Sequence, residues 1–522
     1  MAEHRPLSPF ESAYFTPDGR VGSVRTGGMP LFIGSTVRGR MDETTLVLAL
    51  DEVVAAHPLL RSRVVVDDAG AQHFVVDDLW RPPFEVFAGA ETEYFRLVNT
   101  PVDWSDGLLR AYLLRDGDRA QLVLAIHHGI ADGRSAFALL DQLWRLYTAL
   151  ATGSPMPSAT ASPAPRGMGS LSPHAPTLHA LSPHAPTPDA LSPHAPTPDA
   201  LSPHAPTPDA PSPHAPTPHS ATPHVPTPRS ATPHAPSPHA ASLHAPTGAR
   251  IPEALDDRMA ELVDGAAVSG WVAQVRAQVA AAVPGSAPVA LPHDGNADPG
   301  GRFAMVRIES TAGETAELIA AARAHGISVN SLFSGAALVA VRDQFDAAGP
   351  LLLNLGHAAD MRSRLSPPLP DSVLVNFASG IGTPVFVDDD ASPVELGLRV
   401  DAGVRDALER REAAMVLLAA RQFGHDPVMA AVLSMPPTFT ISNIGRLPAH
   451  SLPAGLDFVR DDIFAMAPDI SPKLTVFTVG ERMTVQIEFD TSLYSRMRQE
   501  KVRSALAATL RGITVAARAG LG

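Results

Sequence analysis

From about Ala151 to Arg250 prolines recur two to eight positions apart, and the stretch contains no Phe, Tyr or Trp. A pyrrolidine ring fixes φ and removes an amide donor, so such a run enters neither a helix interior nor a central strand. It offers no aromatic side chain to a core either. Folding is therefore restricted to the two sides, residues 1–150 and 251–522, with 151–250 as a solvated linker biased to polyproline II. Within the linker a ten-residue unit, Leu-Ser-Pro-His-Ala-Pro-Thr-Pro-Asp-Ala, recurs, and the copies at 181, 191 and 201 are identical. Its histidines (His174, His184, His194, His204 and His214 among them) read either as weak Zn or Ni ligands or as a by-product of repeat expansion. Nothing in the repeat preorganises ligands, which favours the second reading.

A chain of 522 residues with an apolar fraction of 45% can bury more than one core. The formal net charge of −14 argues against broad nucleic-acid binding, which calls for a basic patch. With no cysteine, disulfides, thiolate metal sites and a cysteine acyl-enzyme are excluded. Basic charge is nearly all arginine, with lysine only at Lys473 and Lys501. Met1 to Glu11 lacks the basic and then apolar segments of a signal peptide, and no stretch reaches the length of a membrane span. The expectation is a monomeric cytoplasmic protein with no metal and no redox cofactor.

Both sides mix helix and strand patterns. In the first, Thr45 to His57 has helical apolar spacing and ends before Pro58, and Arg61 to Val66 reads as a strand. Leu122 to Ile126 is an apolar strand, and Phe137, Leu140, Leu143, Trp144, Tyr147 and Leu150 recur at helical spacing from near Ser135. In the second, Arg302 to Glu309 alternates as a strand, and Thr311 with Glu314 makes a capping box for a helix that stops at Gly326. The spacing predicts a further helix from Val329 towards Asp346 and a buried strand over Leu351 to Leu355. Leu474 to Val479 pairs with Met483 to Phe489 as a hairpin across Gly480 and Glu481.

Chemistry is declared between strand and helix, where residues 127 to 133 read His-His-Gly-Ile-Ala-Asp-Gly. A strand end followed by a tight turn can fix an imidazole for general-base work. A neutral imidazole takes a proton from an alcohol as it attacks a carbonyl and returns it to the leaving group, so one His serves both halves of an acyl transfer. No Gly-x-Ser-x-Gly elbow is present, which weakens a serine-hydrolase reading.

The run matches the HHxxxDG signature, and the chain resembles the condensation-domain and chloramphenicol-acetyltransferase-like superfamily. His57-Pro58-Leu59-Leu60-Arg61 is similar to the family's His-Pro-x-Leu-Arg segment, and Asp360-Met361-Arg362 to its Asp-Leu-Arg stretch, with Asn376 where an Asn often follows. Ser442-Asn443-Ile444-Gly445-Arg446 is similar to the Ser-Asn-x-Gly segment of polyketide-associated acyltransferases of the phthiocerol/phthiodiolone dimycocerosyl transferase type. The resemblance implies an α/β fold of two chloramphenicol-acetyltransferase-like lobes, each a mixed sheet flanked by helices, with an active-site tunnel between them.

Carried over by position, it implies His128 as general base, Asp132 turned away from substrate and paired with Arg362, and Gly133 keeping the channel floor free of a side chain. His127 takes a supporting role, because adjacent side chains on a strand point to opposite faces. Asn443 is a candidate for polarising the thioester carbonyl, with a plain turn role equally open.

The implied activity is O-acyl transfer of a long-chain fatty or polyketide group to a lipid alcohol or diol. The donor would be a thioester on a polyketide-synthase carrier domain or coenzyme A. Two alternatives remain: an amide-forming condensation domain, disfavoured because no Asp-Phe-Gly-Trp-Gly motif is present, and a non-catalytic scaffold that binds a carrier protein.

Overall fold

The computed structural model describes residues 3–155, 250–282, 287–423 and 426–520. The repeat and its histidines lie outside the described residues. What is described is a two-lobed α/β fold, each lobe a mixed sheet flanked by helices.

The first sheet has five strands in the order Asp457–Phe464, Pro30–Arg38, Arg119–His127, Leu109–Asp116 and Phe84–Ala88. The first four run antiparallel to their neighbours and the last pair is parallel. Arg119–His127 lies in the middle, is buried from Ala120 on and is mostly apolar because both its faces are covered. Leu122, Leu124 and Ile126 face a core built with helices Glu43–Ala56 and Gly133–Thr152. Val123 and Ala125 face the opposite side, where Tyr94 and Leu97 of helix Glu91–Val98 pack. His57 ties the two helices of the first layer, its Nε2 lying 2.7 Å from Gln142 Oε1.

The edge strand Asp457–Phe464 comes from the far end of the sequence and pairs with Pro30–Arg38. The first sheet is thus completed by residues that follow the linker. Its charges sit in a buried network: Asp462 accepts from Arg307 Nε at 2.7 Å, Arg460 Nε at 3.0 Å and Gln486 Nε2 at 2.8 Å, which fastens the strand to the second sheet.

The second sheet has six strands, in the order Phe303–Glu309, Arg482–Asp490, Lys473–Val479, Phe439–Leu447, Leu351–Asp360 and Ala378–Val387. Helices Ala312–Ala324, Val329–Arg342, Pro393–Glu409 and Arg496–Gly520 supply the apolar layer against it. Thr311 and Glu314 form the reciprocal cap that their spacing predicts, and Gly480 turns the hairpin at φ 60°. Two elements differ from the pattern reading. The helix from Val329 ends at Arg342, where the guanidinium folds back to the Ala347 and Gly349 carbonyls at 2.6 and 2.8 Å. The strand from Leu351 runs on to Asp360, through a Gly356 that the pattern takes as its end.

No single helix among the described residues is long and apolar enough to cross a membrane. Nor is any group of three or more His, Asp or Glu among them placed to hold a metal ion.

Candidate active site

The central strand delivers the His-His pair to the line where the lobes meet. His127 is its last residue, His128–Ile130 form a single 3-10 turn, and Asp132 caps helix Gly133–Thr152. The turn is held from both lobes: the His128 amide donates to Met29 O at 2.9 Å, and Asn376 Nδ2 donates to His128 O at 3.0 Å. Gly129 is required by packing. A Cβ there would stand 2.8 Å from Phe15 Cε2 and 2.9 Å from Tyr14 Cβ.

The two imidazoles differ in environment. His127 is fully buried, stacked flat on Phe15 with centroids 4.0 Å apart and edge-on to Trp104 at 5.1 Å. Its Nδ1 accepts from the Gly129 amide at 3.1 Å, and burial drives its pKa down to about 3. It is a neutral core residue that shapes the turn.

His128 is only half-buried, and its Nδ1 lies 2.8 Å from the Ala131 carbonyl. A carbonyl oxygen can only accept, so Nδ1 carries the proton and Nε2 keeps its lone pair. Burial lowers the pKa of this ring, against an opposing pull from the Ala131 carbonyl, and the nearby Lys473 charge lowers it further. The imidazole is therefore neutral at pH 7.

Asp132 does not contact the His128 ring; no hydrogen bond joins them among the described residues. Its carboxylate accepts from Arg362 Nη1 at 2.5 Å, Phe377 N at 2.7 Å and Ser135 N at 3.0 Å. Burial alone would raise its pKa, but the guanidinium and the two amides outweigh this and hold the carboxyl below its ordinary value. Arg362 is itself 2% exposed, donates to Val375 O at 2.7 Å and lies over the Phe377 ring at 5.7 Å. The first lobe's motif and the second lobe's Asp-Met-Arg segment thus share one buried ion pair.

Gly133 and Asn443 lie close together at the start of the helix and the neighbouring bulge. Gly133 faces no open channel: a Cβ would meet Ile444 Cδ1 at 2.9 Å, so the missing side chain makes room for Ile444. Asn443 is exposed, with Oδ1 accepting from Gly445 N at 2.9 Å and Nδ2 donating to Asn330 Oδ1 at 3.0 Å. These bonds close the bulge between Asn443 and Gly445. Arg134, next to Gly133, ties the helix start to the same bulge through Ile444 O at 2.8 Å and to Asp371 at 2.6 Å. Sequence reasoning passed over Tyr14, Phe15 and Trp104, which wall the imidazoles, and Lys473, whose rarity in this chain was its only signal.

The comparisons with known proteins join here. A condensation domain family model matches residues 33–163, and the model for the phthiocerol/phthiodiolone dimycocerosyl transferase C-terminus matches 299–488. One model thus covers the strand and turn that carry His128, and the other covers Arg362 and the bulge. In both stretches the chain is similar to the condensation-domain superfamily.

Among curated members of this superfamily, the phthiocerol/phthiodiolone dimycocerosyl transferase of Mycobacterium leprae (strain TN) is 36% identical over 126 residues. That match covers 23% of this chain and 30% of the relative. The solved structure of polyketide synthase associated protein 5 from Mycobacterium tuberculosis shares the fold with a TM-score of 0.59 and 17% identity, over 98% of this chain and 99% of that one. A trichothecene 15-O-acetyltransferase from Fusarium sporotrichioides shares it at a TM-score of 0.63 and 11% identity, over 98% and 95%. By name, the Mycobacterium leprae and Fusarium sporotrichioides proteins are both transferases of acyl groups.

Proposed function

We propose that this protein is an O-acyltransferase that moves a long-chain fatty or polyketide acyl group from a thioester to a lipid alcohol or diol, with His128 as general base. The observation that carries the reading is the fixed tautomer of His128: the Ala131 carbonyl holds the Nδ1 proton, so the Nε2 lone pair is free to receive one. The name of the Mycobacterium leprae relative supports the lipid substrate class.

The step balances on one residue. Nε2 takes the hydroxyl proton as the alcohol oxygen bonds to the thioester carbon. The tetrahedral intermediate then expels the thiol, whose sulfur receives the same proton from Nε2 as the C–S bond breaks. No acyl-enzyme forms, and no cysteine is present to form one. Asp132 and Arg362 keep the turn in shape without touching substrate, and His127 supports it from the core. The donor is carried on the phosphopantetheine of a polyketide-synthase carrier domain or on coenzyme A, and the enzyme works as a monomer in the cytoplasm.

The test is mass spectrometry of the full chain incubated with a long-chain acyl thioester and a long-chain alcohol, beside His128→Ala. Ester formed by the wild type and lost by about 10²–10⁴ in the variant is the expected result. Acylation of an amine acceptor with no ester would replace it with the amide-forming reading. Turnover unchanged by His128→Ala would leave a role in carrier binding and no base chemistry.

A further inference from the structure

The short helix Pro9–Phe15 has no part in the motif, yet it sets one aromatic ring against each imidazole. Phe15 covers His127, and the Tyr14 ring lies beside His128 with centroids 5.6 Å apart and planes tilted by 55°. Little slack separates helix and turn, since Gly129 admits no Cβ between them.

The helix is also pinned so that Tyr14 has nowhere to swing. Ser8 and Glu11 form a reciprocal cap, Glu11 is buried against Arg5 at 2.6 Å, and Thr26 Oγ1 donates to Ala13 O at 2.8 Å. Gly28 N donates to Tyr14 O at 2.8 Å, and Phe10 packs edge-on to the Tyr14 ring at 5.5 Å. Tyr14 is buried, and burial pushes its phenol up to about 12, so it meets His128 as an uncharged ring.

The other groups that face His128 are few. Its own turn presents the Ala131 carbonyl and the Asp132 carboxylate, strand Lys473–Val479 presents Lys473, and neutral His127 precedes it. Asn376 Nδ2 donates to the main-chain oxygen of His128, and the same side chain hydrogen-bonds the Tyr14 hydroxyl. Tyr14 is therefore the aromatic wall on this ring, and a ring that excludes water from one face of an imidazole disfavours the charged form.

We propose that Tyr14 is a positioning residue for the base: its ring keeps the His128 imidazole against the Ala131 carbonyl and keeps water off one face, so that the Nε2 lone pair stays available. This rests on the assignment of His128 as general base. A tyrosine that merely fills the core would contribute stability and leave the titration of His128 where it is. A wall on the ring must move that titration when it is removed.

The experiment is an NMR pH titration of histidine-labelled full chain, with the His128 signals assigned by their loss in His128→Ala. It compares wild type, Tyr14→Phe, Tyr14→Ala and the milder truncation Tyr14→Leu, with turnover followed in parallel where ester forms. Truncation is expected to raise the His128 pKa by about one unit, which leaves about tenfold less neutral imidazole at a pH below both values. The accompanying loss of kcat should be larger at pH 6 than at pH 8, with KM little changed, and the ring signals should show a mixture of tautomers. Tyr14→Phe keeps the ring and should restore the wild-type titration.

Identical His128 titrations in wild type and both truncations would overturn the proposal, as would a Tyr14→Phe shift as large as that of Tyr14→Ala. The titration is read without substrate, so it decides the role of Tyr14 even if His128→Ala shows that the base chemistry is wrong.

Discussion

Replacing Asp132 by Asn removes one charge from a pair that the fold has sealed off. Asp132 is 4% exposed and Arg362 2%, so neither gains solvent when its partner is lost. The carboxylate accepts from Arg362, Phe377 N and Ser135 N, and from the Ser135 hydroxyl at 3.3 Å. A side-chain amide offers one acceptor oxygen and turns two N–H groups on the donors that remain. The guanidinium is then left charged and buried, with only Val375 O and a long contact of 3.4 Å to Asp360 to hold it.

Stranding one member of a buried pair costs about 3–5 kcal/mol. The helix cap contributes within that range, since the same carboxylate serves both, so the cap and the ion pair are not added. For a chain of this size the fall in Tm is roughly 3–5 °C, at about 1 °C per kcal/mol. The assay is urea unfolding of wild type, Asp132→Asn, Arg362→Met and the double variant. Because the partners touch, the double variant should recover at least about 2 kcal/mol relative to the sum of the singles.

The sign with pH follows from the depressed carboxyl pKa: the contribution is fully present above the ordinary carboxylate value and is lost as pH falls through the folded one. The gap between wild type and Asp132→Asn should therefore close in acid. A single-variant loss below about 1 kcal/mol, or strict additivity in the double, would refute the argument that burial makes this pair costly to break.

Further predictions concern other parts of the fold. Burial lowers the His128 pKa, so the acid limb of kcat/KM should lie below pH 6.5; a limb at pH 7 or above would show a solvated base. Burial alone would lower the pKa of His450, but Asp461 at 2.8 Å and Asp141 at 3.6 Å raise it to about 10. Its stabilisation should be complete below about pH 6.5 and vanish as pH rises through 10, so His450→Asn should flatten the alkaline loss of stability that wild type shows in denaturant titrations. Gly133→Ala puts a Cβ 2.9 Å from Ile444 Cδ1 and should cost about 1–3 kcal/mol in urea unfolding, most of it recovered by adding Ile444→Val, which removes that methyl.

What the sequence made legible follows from how far apart the cooperating residues lie. The strand before His127, the cap on the helix after Asp132 and the hairpin at Gly480 are local, and periodicity or capping chemistry announces each within a few residues. Sheet membership is not local: Asp457–Phe464 lies in the second stretch of the sequence yet edges the first sheet. Its buried Asp461 and Asp462 would be improbable in an apolar strand, and Arg460 beside them, with Arg307, Gln486, His450 and Ser35 brought in from elsewhere, makes them tolerable.

The same distinction separates the members of the site. His128 could be recognised because its turn carries its own signature, and Arg362 because a family resemblance supplied a partner that spacing alone could not. Tyr14 and Phe15 carry no such mark, since an aromatic pair in a seven-residue helix near the start of the chain looks like ordinary core. Gly129 was their one trace in the motif itself. It stands where two rings more than a hundred residues earlier in the sequence press on the turn, so any side chain at that position would force helix and imidazoles apart. A glycine beside the His128 imidazole, with a φ that any residue could adopt, therefore reports a close neighbour, and the identity of that neighbour is what the fold adds to the sequence.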